Sequence, residues 1–206
     1  MNGSGKIIQA TNELFPLGNE TEIRLGRIIN GSFSAGVPFL QFAKTLQFLK
    51  SLSDPVMIHQ VDVIKGNRRL SVESSGREVY IQKGRRTTRD FYGSGLPTDV
   101  RVCSMTETMI PFSDAVRHEM RTDLDLVREK DRARFLFDHF QIDLTVVNTK
   151  ASKPVFGDQE SPRTTYEIEL EIHDRDGIDE AVLWMIKLFQ SLGELPFHPA
   201  AEFRPV

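Results

Sequence analysis

At 206 residues the chain is long enough for one domain with a sizeable core and too short for several. Lys and Arg (26) nearly balance Asp and Glu (29), so no global basic field draws in nucleic acid, and a polyanion site must come from local clusters. The single cysteine, Cys103, excludes an internal disulfide and fits a reducing compartment. No apolar run approaches a membrane span, and the N-terminus lacks a signal-peptide core, so no membrane partner is expected.

Residues 1–18 read as a polar lead-in ending in a Pro/Gly turn. A strand follows over about Asn19–Ile28. Successive side chains on a strand face opposite ways, so Glu20, Glu22 and Arg24 share one face, and Ile23 and Leu25 the other. After Pro38, the steps between Phe39, Phe42, Leu46 and Leu49 predict a helix that covers one face of a barrel. Val56–Ile64 and Arg68–Glu73 read as strands joined by a Gly66-Asn67 hairpin, with Arg69, Ser71 and Glu73 together. In Val79–Arg85 the strand sends Lys83 inward. Arg85, Arg86 and Arg89 read as a solvated basic loop.

Val100–Glu107 places Val100 and Val102 on one face and Arg101, Cys103, Met105 and Glu107 on the other. Residues 111–127 read as loop with a short helix. Arg128–Phe135 aligns Lys130, Arg132 and Arg134, and Gln141–Val146 sends Asp143 and Thr145 inward. In Tyr166–Ile172 apolar and acidic residues alternate without a break, so Glu167, Glu169 and Glu171 share a face. Three inward carboxylates repel and raise one another's pKa unless a cation neutralises them. A hard divalent ion with oxygen ligands suits such a place. Asp174–Gly193 is an amphipathic helix with Gly193 as its C-cap, and the Pro-containing tail is irregular. One domain is expected over 1–206, with a barrel core at about 19–173 and a C-terminal helix at about 175–192.

The two acidic strands, Glu20/Glu22 and Glu167/Glu169/Glu171, resemble the metal-binding signature of the triphosphate tunnel metalloenzymes. The Gly-Val-Pro before the first helix, the Asp99-Val100-Arg101 start with Glu107 six residues after Arg101, and the Lys130-Asp131-Arg132 triplet resemble the same family. Within it the chain is similar to the metal-dependent RNA 5′-triphosphatases of fungal and protozoan mRNA capping. It departs from them at Gln141 and Val146, where they usually carry Arg and Lys.

The resemblance implies an eight-stranded antiparallel β-barrel, mainly β, with a hydrophilic lumen and flanking helices. It implies removal of the γ-phosphate from 5′-triphosphate RNA, the first step of cap formation, and hydrolysis of free NTP with manganese. Mg²⁺ or Mn²⁺ would sit on Glu20, Glu22 and Glu171. Arg69, Lys83, Arg101, Lys130 and Arg132 would meet phosphate oxygens. Glu107 would orient the attacking water, Glu169 would help order metal-bound water, and Arg24, Asp143 and Glu167 would support the others.

The implied partners are the 5′-triphosphate end of nascent mRNA and an RNA guanylyltransferase. Fungal relatives bind the latter through a Trp-rich segment. The single tryptophan, Trp184, lies in the final helix, so a protozoan-like monomer is expected over a homodimer, in the nucleus. Two alternatives stand beside this reading. One is an inorganic or thiamine triphosphatase of the same fold, a branch that usually ends its first motif in Lys where this chain has Arg24. The other is a non-catalytic polyanion-binding module, which needs the basic stripe but neither acidic one.

Overall fold

Period-two alternation makes each strand two-faced, and the fold turns the charged faces inward. The structure, a computed structural model, describes residues 3–92, 98–111, 113–122, 124–151 and 163–191. The strands are β1 (Glu20–Ile29), β2 (Ser32–Ala35), β3 (Val56–Lys65), β4 (Arg68–Glu73), β5 (Glu78–Phe91), β6 (Asp99–Met109), β7 (Leu126–Leu136), β8 (Phe140–Ala151) and β9 (Arg163–Ile172). The helices are α1 (Gly3–Leu14), α2 (Phe39–Lys50), α3 (Asp114–Thr122) and α4 (Ile178–Ser191).

Eight strands run in the order β1-β6-β5-β4-β3-β7-β8-β9, all pairs antiparallel, and β9 returns to pair with β1. The result is a closed barrel without a free edge among those eight. Closure sets Glu22 opposite Glu171 and Arg24 opposite Glu169. The short β2 pairs with the far end of β1 through a tight turn. In that turn Asn30 (φ 51) and Gly31 (φ 77) both take positive φ, as a type I′ hairpin requires.

The apolar core lies outside the barrel, between its outer face and the helices. Ile23, Leu25, Val100, Val102, Ile142, Leu144, Ile168 and Leu170 point out from the strands. They pack against Ile7 and Leu14 of α1, Phe42 and Leu49 of α2, and Val182, Met185 and Leu188 of α4. A smaller cluster of Leu70, Tyr80 and Met120 seats α3 on β4 and β5. An ordinary small barrel fills its lumen with side chains; here the apolar residues face the helices and leave the lumen polar.

Four expectations are corrected. Residues 1–18 are not a lead-in, because Gly3–Leu14 is helical. Its stripe of Ile7, Ala10 and Leu14 is narrow, and such a helix draws its stability from packing rather than from its own pattern. Arg85, Arg86 and Arg89 do not lie in a loop, since β5 runs on to Phe91. Phe33 belongs to a strand that was not expected. The last helix begins at Ile178 after a 3₁₀ turn over Arg175–Gly177, and Gly193 lies outside the described residues.

The corner between β9 and α4 is tied back to the β7–β8 turn. His139 Nδ1 meets Asp174 Oδ2 at 2.7 Å, and Asp174 Oδ1 also accepts from the Gly177 N–H. The pairing raises the pKa of His139 and lowers that of Asp174. The imidazolium contribution is full below the unfolded histidine value near pH 6.5 and fades as pH rises through the raised folded value. The aspartate contribution needs pH above about 4. Thermal melts of H139Q should therefore fall furthest below wild type between about pH 4 and 6.5, and the gap should close in alkaline buffer.

Candidate functional site

Charged positions repeat on the inner face of nearly every barrel strand, and a cavity of about 570 Å³ opens among them. Glu20, Glu22 and Arg24 come from β1, Arg69 from β4, Lys83 from β5 and Glu107 from β6. Lys130 and Arg132 come from β7, Asp143 from β8, and Glu167, Glu169 and Glu171 from β9. All twelve line one cavity, as the strand alternation predicts. Arg101 does not. Its guanidinium is clamped by Asp90 at 2.6 and 2.8 Å and stacks on the Phe33 ring at 4.5 Å, outside the cavity lining.

The walls are segregated but interlocked. Arg24 bridges Glu22 at 2.9 Å and Glu169 at 3.0 Å. Glu107 takes Lys83 at 2.9 Å and Arg69 at 3.2 Å. Asp143 takes Arg132 at 3.1 Å and Arg134 at 2.9 Å. Lys130 meets Asp62 at 2.6 Å. Gln141 donates to Glu171 at 2.7 Å, so a neutral amide braces that carboxylate.

The lining holds nine carboxylates (Glu20, Glu22, Asp62, Glu73, Glu107, Asp143, Glu167, Glu169, Glu171). It also holds nine cations (Arg24, Arg68, Arg69, Lys83, Arg86, Arg128, Lys130, Arg132, Arg134). With every one of these groups ionised the lumen is neutral. A polyanion that enters it must bring or find additional positive charge, or displace carboxylates from their partners.

Several groups show where that charge is lacking. Burial, then Glu22 and Glu107, push Glu20 up to about 8. Burial, then Asp143, raise Glu171. The Glu20 Oε2 and Glu22 Oε1 atoms are buried without a hydrogen-bond partner. Orphaned carboxylate oxygens that repel one another fit a hard divalent cation in chemistry and charge. Among the described residues no three His, Cys, Asp or Glu side chains already stand as a closed metal cage. Glu107 behaves oppositely: against the cost of burial, a hydrogen bond from Glu20 and the Arg69 and Lys83 charges hold it below the usual carboxylate range.

Asp62 did not stand out in sequence, because β3 carries no acidic stripe. It is fully buried and accepts from Lys130, Gln60 and Ser71. Burial alone would raise it, but Lys130 and Arg69 hold it down to about 2. It therefore fixes Lys130 in the wall. Arg128 and Arg134 join the lining through the period of β7, while Arg86 joins it through an irregularity in β5 described below.

Residues 62–183 match the family described as the mRNA capping enzyme, beta chain. The chain belongs to that family. It is accordingly a hydrolase of RNA 5′-triphosphate ends, of the metal-dependent triphosphatase type that acts in mRNA capping. Solved structures agree on the fold. Pct1 RNA triphosphatase of S. pombe superposes with a TM-score of 0.61 at 19% identity, over 92% of this chain and 90% of that one. The Mimivirus capping enzyme triphosphatase superposes with a TM-score of 0.62 at 13% identity, over 92% and 95%. No curated protein matches.

The buried Lys130–Asp62 pair gives a direct test of how the cationic wall is held. Removing one partner strands the other charge, so D62A should cost about 3–5 kcal/mol in urea unfolding. The double variant D62A/K130M should recover most of that loss.

Proposed function

We propose that Glu20, Glu22 and Glu171 hold Mg²⁺ or Mn²⁺ in this tunnel, and that the opposite wall binds the RNA triphosphate. The observation that supports this most is the register that sets Glu22 beside Glu171, with the orphaned oxygens of Glu20 and Glu22 next to them. Bound there, the metal would neutralise phosphate oxygens and polarise the γ-phosphoryl group.

The remaining work belongs to the protein's own side chains. Lys130, Arg132, Arg69 and Lys83 bind oxygens of the triphosphate, where negative charge spreads in the transition state. Each gives up part of its hold on a carboxylate to do so. Glu107 stays ionised between Arg69 and Lys83 and orients the attacking water by accepting its hydrogen bond. Glu169 helps to order water beside the metal carboxylates, while Arg24 and Asp143 hold Glu22, Glu169 and Arg132 in place. Glu167 stands behind them near Arg128, at 3.8 Å. Water attacks the γ-phosphorus, the bond to the bridging oxygen of the β-phosphate breaks, and orthophosphate and 5′-diphosphate RNA leave.

Free NTP with Mn²⁺ is a second substrate in this reading, because the γ-phosphate is presented alike. We place the whole chain in one tunnel domain that works in the nucleus as a monomer and hands its product to an RNA guanylyltransferase. The S. pombe enzyme has been solved in complex with the Spt5 CTD, which makes a segment of that kind a candidate partner here as well.

The test is phosphate release from γ-labelled triphosphate RNA with and without divalent metal. Neutralising Glu20, already short of positive charge, should leave the fold intact, so E20Q should melt like wild type. Both E20Q and E22A should lower kcat/KM about 100-fold or more. Wild-type turnover in either folded variant would remove these carboxylates from the site.

A further inference from the structure

Lys83 and Arg86 stand three residues apart on β5, a spacing that sends side chains to opposite faces of a regular strand. The register with β6 slips between them. Lys83 lies opposite Glu107, but Arg86 lies opposite Met105, and those two β6 residues share a face. The extra β5 residue forms a bulge, which turns both cations into the lumen.

The two cations are differently engaged. Lys83 is held by Glu107 at 2.9 Å. Arg86 has no carboxylate partner among the described residues, and its Nε donates to the Cys103 sulfur at 3.2 Å. A thiol sulfur is a weak acceptor. Arg86 also remains exposed to the lumen. Met105 lies opposite Glu20 on the next strand, so Arg86 stands two strands from Glu20, roughly 10 Å at the backbone.

We propose that Arg86 is a further phosphate-binding residue, aimed by the β5 bulge and resting on the Cys103 thiol until the RNA triphosphate arrives. The inference builds on the triphosphatase reading and adds one contact to it. A guanidinium prefers paired phosphate oxygens to a neutral sulfur. The exchange leaves no carboxylate stranded, unlike the release of Lys83, Lys130 or Arg132. Arg86 is thus a lumen cation that phosphate oxygens can take without competing against a carboxylate.

Steady-state kinetics on triphosphate RNA test the idea with R86Q, R86K and wild type. A lost charged hydrogen bond should raise KM for R86Q about tenfold to a hundredfold. R86K keeps the charge and should fall between R86Q and wild type. If R86Q fails to fold, R86K alone carries the test, with a KM about threefold or more above wild type. A KM within twofold of wild type in folded R86Q, whatever its kcat, overturns the proposal. So does a wild-type KM in R86K when R86Q does not fold. E22A, run beside them, separates the two claims. A dead E22A with a wild-type R86Q sinks only the Arg86 contact, whereas full turnover in E22A sinks the site itself.

Discussion

The structure depends on charge compensation inside a closed barrel. Eight paired strands leave no edge, so side chains on the inner face share a confined space of limited volume. Charges in such a place are costly unless each is matched. Arg24 with Glu22 and Glu169, Lys130 with Asp62, Arg132 and Arg134 with Asp143, and Arg69 and Lys83 with Glu107 are that matching. The apolar residues displaced from the lumen go outside, where α1, α2 and α4 cover them.

The same matching explains the chemistry. A site that bound phosphate by positive charge alone would hold unpaired cations and repel them from one another. Here Arg69, Lys83, Lys130 and Arg132 are stored on carboxylates, and substrate competes for them. The acidic corner formed by Glu20, Glu22 and Glu171 is the part that matching leaves incomplete, with two orphaned oxygens and raised carboxyl pKa values. Incomplete compensation marks where a cation belongs. Compensation by carboxylates marks where an anion is exchanged.

Much of this was legible in sequence, because period-two alternation reports which side chains share a face, and two acidic strands with the family resemblance turn those faces inward. Glu20, Glu22, Lys130, Arg132 and the three glutamates of β9 were placed on the lumen that way, and the structure puts them there. What was not legible depended on irregularity or on distant partners. Arg86 points inward only because of a bulge, and a bulge shifts the period by one residue. Arg101 has inward parity, yet Asp90 and Phe33 hold it away from the cavity. Asp62 matters through Lys130, a strand away and far along the chain. The helix α1 has too narrow an apolar stripe to announce itself before α4 is in place.

The central claim is that a neutral lumen accepts a polyanion only when a divalent cation completes it. Calorimetric titration of tripolyphosphate into the protein, in Mg²⁺ buffer and in EDTA, tests this most directly. The account predicts binding at least about tenfold tighter with the metal, a difference of about 1.4 kcal/mol or more. Equal affinity in the two buffers would contradict it.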